Sequence, residues 1–204
     1  MNDLTRVKIC GLTREVDIEY ANMLMPDYVG FVFASSKRKL SVAEGGDLAK
    51  RLKPGIKKVG VFVDEEMAVV RETARICGLD VLQLHGGETP DYCRSLEGYE
   101  IWKAFRVADE KSIEDIGKYD VDGVLLDSFS RDQHGGTGMT FDWNLAAAVA
   151  KERFTILAGG LSPENVKSAI EAVRPAVVDV SSGVETDGVK DYIKIKKFIE
   201  NVRG

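Results

Sequence analysis

The chain has 204 residues, 44% of them apolar and 30% charged, with a formal net charge of -5. That is the size and mix of one globular domain with a substantial core, spanning 1–204. The acidic balance excludes a chain-wide basic footprint for nucleic acid, and no apolar run approaches the length of a membrane span.

Short apolar runs alternate with amphipathic, charge-bearing segments. The predicted strands are Val7–Cys10, Tyr28–Phe33, Lys58–Val63, Val81–Leu84, Glu100–Ala104, Gly123–Leu126, Thr155–Ala158 and Val177–Val180. Helical patterns lie between them, as in Glu66–Ile76 and Glu164–Val173. Thr13 before Arg14-Glu15, Ser41 before Val42-Ala43-Glu44, and Ser162-Pro163-Glu164 with Pro at the first helical position mark helix starts. Gly78 and Gly98 mark helix ends or turns. About eight strand–helix units of roughly 25 residues each predict an α/β chain with a parallel sheet, because parallel neighbours need crossovers. A doubly wound sheet would share this alternation. A single-domain (β/α)8 TIM barrel is favoured because special residues recur after many strands, as a ring of active-site loops requires.

Those strand-end residues are Cys10, the Ser36-Lys37-Arg38 cluster, Asp64, His85, Arg106, Asp127, Gly159-Gly160 and Ser181-Ser182-Gly183. The last two groups follow strands seven and eight, where barrels commonly bind phosphate. Glycine lets backbone N–H groups approach an anion. A single Gly-Gly pair needs to do no more than turn the chain, but two matched loops with added serines point to phosphate.

The three cysteines Cys10, Cys77 and Cys93 are odd in number and widely spaced, so neither a disulfide framework nor a CxxC metal site is expected. Met1-Asn2-Asp3 shows no secretion-signal pattern, and a reducing, cytoplasmic setting is expected. His85 and His134 lack i, i+4 partners, so no metal is expected. Cys77 and Cys93 lie in helical patterns and read as buried structural thiols. Cys10, at a strand end, reads as a thiol whose positive surroundings would yield thiolate near neutrality. Lys8, two residues earlier on the same strand face, either supplies that field or pairs with an acid inside the barrel. Asp127 is either a turn or cap residue or a desolvated acid. Arg38 is either a surface cation or a guanidinium that clamps a carboxylate. His85 is either a turn residue or a second polar contact.

Taken together, these blocks resemble the phosphoribosylanthranilate isomerase family over essentially the whole chain. The resemblance is carried by Val7-Lys8-Ile9-Cys10-Gly11-Leu12-Thr13, Gly30-Phe31-Val32-Phe33 with Ser36-Lys37-Arg38, Val59-Gly60-Val61-Phe62-Val63 and Gln83-Leu84-His85-Gly86. It continues through Leu125-Leu126-Asp127, Gly135-Gly136-Thr137-Gly138, Thr140-Phe141-Asp142-Trp143, Ala158-Gly159-Gly160-Leu161, Pro163-Glu164-Asn165-Val166 and Asp179-Val180-Ser181-Ser182-Gly183-Val184-Glu185. Leu12 stands where many relatives carry isoleucine.

The resemblance implies an isomerase of tryptophan biosynthesis that performs an Amadori rearrangement without a cofactor. Cys10 would be the general base and Asp127 the general acid. Arg38 would hold the anthranilate carboxylate, and Gly159, Gly160, Ser181, Ser182 and Gly183 the phosphate, with His85 and Asp179 as further substrate contacts. Gly135, Gly136, Thr137 and Gly138, in the long loop Ser128–Thr140, would form a lid; no role is carried onto Arg131 or His134. The implied partner is a small phosphorylated sugar–anthranilate conjugate, with no nucleic acid and no membrane, and the chain would be a monomer or homodimer. Two rivals remain at this point. Related aminoimidazole ribonucleotide isomerases use an aspartate base, which Cys10 argues against. A non-catalytic phosphosugar-binding barrel would need neither Cys10 nor Asp127.

Overall fold

A computed structural model describes residues 4–106, 114–127 and 143–204. Eight parallel strands close into a barrel in chain order: β1 (Arg6–Cys10), β2 (Tyr28–Val32), β3 (Lys57–Phe62), β4 (Val81–Leu84), β5 (Glu100–Arg106), β6 (Gly123–Asp127), β7 (Thr155–Ala158) and β8 (Val177–Val180). The barrel reading therefore holds and the doubly wound sheet does not, because β1 pairs with β8 as well as with β2. Around it lie α1 (Glu15–Leu24), α2 (Val42–Ala49), α3 (Met67–Cys77), α4 (Pro90–Arg94), α5 (Trp143–Glu152), α6 (Val166–Val173) and α7 (Tyr192–Arg203). A short hairpin, β9 (Glu185–Thr186) with β10 (Val189–Lys190), follows β8.

Alternation along each strand divides the core in two. One set of side chains faces the helices: Ile9, Phe31, Phe62, Leu82, Leu126, Leu157 and Val180 pack with Ile18, Val70, Ala146, Val166 and Phe198. The other set faces inward, where Tyr28, Val59, Val81, Trp102, Leu125, Ile156 and Val177 fill the lower half of the barrel. Tyr28 meets Trp102 edge-on at 4.9 Å, a favoured aromatic geometry. This plug closes the bottom, so inward residues one step further along each strand face an open mouth.

Local signals set most of the helix ends. Ser41 accepts from Glu44 N while Glu44 accepts from Ser41 N, a reciprocal cap for α2. Gly78 ends α3 in the left-handed region, at φ 58°. Two predicted starts are displaced. Thr13 does not cap α1; Arg14 holds the cap position, and Asp17 accepts from both backbone N–H groups of Thr13 and Arg14. Pro163 is not the first residue of α6, which starts at Val166. The reason is Asn165, whose side chain accepts from Ser162 N and donates to Gly160 O, holding 162–165 as a turn.

Candidate active site

A cavity of about 350 Å³ opens at the mouth of the barrel. Cys10, Arg38, His85, Asp127, Gly159, Gly160, Asp179, Ser181 and Ser182 line it, so residues up to 172 positions apart in the chain meet at one place. Gly183 does not line it; it packs against the Leu161 carbonyl, so that a Cβ there would collide with backbone. Asp64 and Arg106, also strand-end residues, are not among the lining residues. Asp64 accepts from Gly87 N at 2.6 Å and ties two loops together; Arg106 is exposed. Gly135, Gly136, Thr137 and Gly138 lie outside the described residues.

Cys10 is the last residue of β1 and is more enclosed than a strand end suggests, at 9% exposed. It lies opposite Gly30 of β2. A Cβ at Gly30 would stand 2.7 Å from the thiol sulfur, so the missing side chain is what makes room for it. Burial pushes the thiol above its ordinary 9.0; Lys8 and Lys190 pull it back, and Asp179 adds to the rise. The expected near-neutral thiolate is thus corrected: desolvation outweighs the nearby cations.

Lys8 does both things offered for it: it acts on the thiol from below and it pairs with an acid inside the barrel. It is wholly buried, and its Nζ lies 2.8 Å from Asp179 Oδ2 on the neighbouring strand. Burial works against its charge, yet Asp179 and Cys10 together hold its pKa above the ordinary value. The ion pair lies directly below the thiol, since Lys8 and Cys10 share a face.

Across the mouth, His85 Nε2 approaches Asp127 Oδ2 at 3.3 Å. Gln83 Nε2 lies 3.1 Å from His85 Nδ1, a contact that holds the ring with Nε2 turned toward Asp127. The loop that bears His85 is fixed from beneath. Buried Glu88 accepts from Asp64 N and Gly86 N and pairs with buried Lys103 at 3.2 Å. His85 therefore belongs to the site and not merely to a turn.

Arg38 enters from the loop after β2, but its fork is not empty. Nε donates to Glu185 Oε1 at 2.8 Å and Nη2 to Glu185 Oε2 at 2.9 Å. A guanidinium has five N–H donors, so three remain, including the pair along the Nη1–Nη2 edge. Glu185 also accepts from Lys190 Nζ at 2.8 Å. Burial alone would raise this carboxyl, but the hydrogen bonds from Arg38 and Lys190 outweigh it and bring its pKa down to about 2. Lys190 in turn is lowered by burial, which Glu185 only partly offsets.

The phosphate-type loops are braced from the same network. Gly159 and Gly160 hold φ 83° and 66°, a left-handed pair that side-chain-bearing residues rarely adopt. Ser181 Oγ gives its proton to the Cys10 carbonyl at 3.0 Å and accepts from Lys190. Its hydroxyl is therefore committed within the protein, which leaves Ser182 and backbone N–H groups as donors to an anion.

Three polar residues of this site were not singled out from the sequence. Gln83 carried a readable signal, being a polar residue in an apolar strand with the same parity as His85. Glu185 lay at the end of a recognised block with no role attached. Lys190 had none, because nothing local marks a lysine that will fold back onto residue 181.

Residues 7–201 match the family model described as PRAI, N-(5'-phosphoribosyl)anthranilate isomerase. The N-(5'-phosphoribosyl)anthranilate isomerase of Caldanaerobacter subterraneus subsp. tengcongensis is 51% identical, over 98% of this chain and 99% of its own. The crystal structure of phosphoribosyl anthranilate isomerase from Thermotoga maritima superimposes with a TM-score of 0.89 at 41% identity, covering 98% of this chain and all of that one. A further phosphoribosyl anthranilate isomerase, solved in complex with reduced 1-(o-carboxyphenylamino)-1-deoxyribulose 5-phosphate, matches with a TM-score of 0.86 at 39% identity and the same coverage. The chain belongs to the N-(5'-phosphoribosyl)anthranilate isomerase family.

Proposed function

We propose that this chain, as one catalytic barrel domain, performs the Amadori rearrangement of N-(5-phosphoribosyl)anthranilate to 1-(2-carboxyphenylamino)-1-deoxyribulose 5-phosphate in tryptophan biosynthesis. The observation that carries this reading is that a thiol, a carboxyl, an arginine, the Gly159-Gly160 loop and the Ser181-Ser182 loop converge on one cavity. Asp127, protonated, delivers a proton to the ribose ring oxygen as the C1–O bond opens to a Schiff base. Cys10, as thiolate, then removes the proton from C2, and the enolamine tautomerises to the ketone. Burial disfavours the thiolate. The ring-opened Schiff base, protonated on nitrogen, brings a positive charge beside it and favours the thiolate at the moment it is needed.

Arg38 offers its Nη1–Nη2 edge to the anthranilate carboxylate while Glu185 keeps the other edge. The loops after β7 and β8 receive the phosphate. His85 steadies Asp127. A cytoplasmic setting suits a chain with three buried free cysteines. For assembly, the relative from Thermotoga maritima is described as dimeric, with monomers generated from it; a monomer or homodimer is the corresponding reading here.

The test is direct. Anthranilate conjugates fluoresce, so substrate signal should decay on adding enzyme. Cys10→Ser and Asp127→Asn should each lower kcat by at least ~10²-fold with substrate binding retained. Near-normal turnover in either variant would remove that residue from the mechanism.

A further inference from the structure

A buried ion pair outside the cavity holds the rim on which His85 stands. Lys103 lies on β5 between Trp102 and Ala104, which face into the barrel, so its side chain leaves on the outer face. It is 2% exposed. Its Nζ is surrounded by acceptors at the strand ends: Gly86 O at 2.7 Å, Ala104 O at 3.1 Å, Glu88 Oε2 at 3.2 Å and Leu84 O at 3.3 Å. Glu88, 6% exposed, is equally committed. Its Oε1 accepts from Asp64 N and its Oε2 from Gly86 N, each at 2.9 Å. One pair of opposite charges therefore ties together the ends of β3, β4 and β5.

The tied loops interlock without slack. Asp64 is held at φ 50°, in the left-handed region, and its Oδ1 accepts from Gly87 N at 2.6 Å. A Cβ at Gly86 would collide with the same carboxylate. The loops after β3 and β4 then reach the cavity through His85 alone; Asp64, Gly86, Gly87 and Glu88 do not line it, and neither does Lys103. His85 N is pinned to Phe62 O at 2.8 Å, and its Nε2 faces Asp127 Oδ2 at 3.3 Å. The pair carries no net charge, so it acts on the site through geometry and not through a field.

We propose that Glu88 and Lys103 are positioning residues for the proton transfer at Asp127, setting where the His85 ring stands against that carboxyl. This goes beyond the reaction given above and rests on it. Well-packed apolar residues would fill the same space without the desolvation cost of two buried charges. What the pair adds is direction, because each charge is bonded to backbone at fixed points on neighbouring strand ends.

The experiment is a double-mutant cycle on the whole protein, with rates taken from the fluorescence decay of N-(5-phosphoribosyl)anthranilate. Lys103→Met should lower kcat about tenfold with KM within about twofold of wild type, the mark of an interaction felt more in the transition state than in binding. His85→Ala should lower kcat at least as far. The combined variant is decisive. In the His85→Ala background, Lys103→Met should lower kcat by less than about twofold more, because residues that act as one unit are not additive. A general loss of folded protein would act in both backgrounds and cannot mimic that result. Should Lys103→Met fail to fold with Glu88 left unpaired, Lys103→Met combined with Glu88→Gln removes both charges and carries the same cycle. Losses that multiply independently, or an unchanged kcat in either single variant, overturn the inference while leaving the reaction intact. Wild-type protein that does not consume the conjugate overturns the reaction, and this inference with it.

Discussion

Replacing Glu185 by Gln tests whether one carboxylate organises the cationic side of the mouth. Glu185 accepts from Arg38 and from Lys190, and the Lys190 side chain is only 1% exposed. Removing one partner of a buried pair and stranding the other costs ~3–5 kcal/mol. The proton linkage gives an independent figure. A carboxyl brought from 4.5 to about 2 on folding contributes about 3 kcal/mol at neutral pH, taking 1.36 kcal/mol per unit. The two figures agree in scale. The sign follows from the depressed folded-state value. The contribution is fully present above 4.5 and fades as pH falls towards 2, with roughly 1 kcal/mol left at pH 3. Urea unfolding of wild type and Glu185→Gln at pH 7 and near pH 3 measures both. The variant should be less stable by about 3 kcal/mol at neutral pH, and about two thirds of that deficit should disappear at the lower pH. A deficit that is unchanged between the two pH values, or below ~1 kcal/mol throughout, would refute the assignment of Glu185 as the shared anion.

Other expectations concern the thiol and the arginine. Gly30→Ala should cost ~1–3 kcal/mol of stability and lower kcat, because the added Cβ arrives 2.7 Å from the Cys10 sulfur; unchanged turnover would show that the thiol is free to shift. Alkylation of Cys10 in the ligand-free protein should rise with pH only beyond the ordinary thiol value of 9.0, since burial disfavours the thiolate. A midpoint near neutrality would contradict this. Arg38→Ala should weaken an anthranilate-bearing ligand by ~1.5–3 kcal/mol and leave inorganic phosphate binding nearly untouched; equal losses for ligands with and without the carboxylate would assign Arg38 to the phosphate or the fold.

What was legible in the sequence was local. A run such as Val81–Leu84 or Val177–Val180 declares a strand by composition, and the observed bounds of β4, β7 and β8 coincide with those expected. Once the barrel is granted, strand-end chemistry follows, and Cys10, His85, Asp127 and the Gly159-Gly160 loop all reach the cavity. What escaped depends on pairings between distant segments. Lys8 and Asp179 are side by side because β8 closes onto β1. Arg38 meets Glu185 because the hairpin after β8 folds over the mouth, 147 residues away in the chain. The start of α6 was misplaced for a related reason. Ser162-Pro163 carries a helix-start signature, but Asn165 uses its side chain to hold the Gly160 loop, and the loop's shape outweighs the local preference.

The arrangement of charges explains how an acidic chain can take up a substrate with an anion at each end. Lys8 and Asp179 cancel one another below the thiol. Arg38 and Lys190 do not cancel with Glu185, because two buried or half-buried cations share a single carboxylate. The rim beside Cys10 therefore keeps an uncompensated positive charge, fixed in place by the anion it exceeds. A lone arginine on a loop would lose side-chain freedom on binding a carboxylate; one already gripped along Nε and Nη2 loses little, and its second edge is presented in a set direction. Glu185 thus lowers the local positive potential but supplies orientation. The chain's overall negative field acts over distances at which salt screens it, whereas this excess acts at contact.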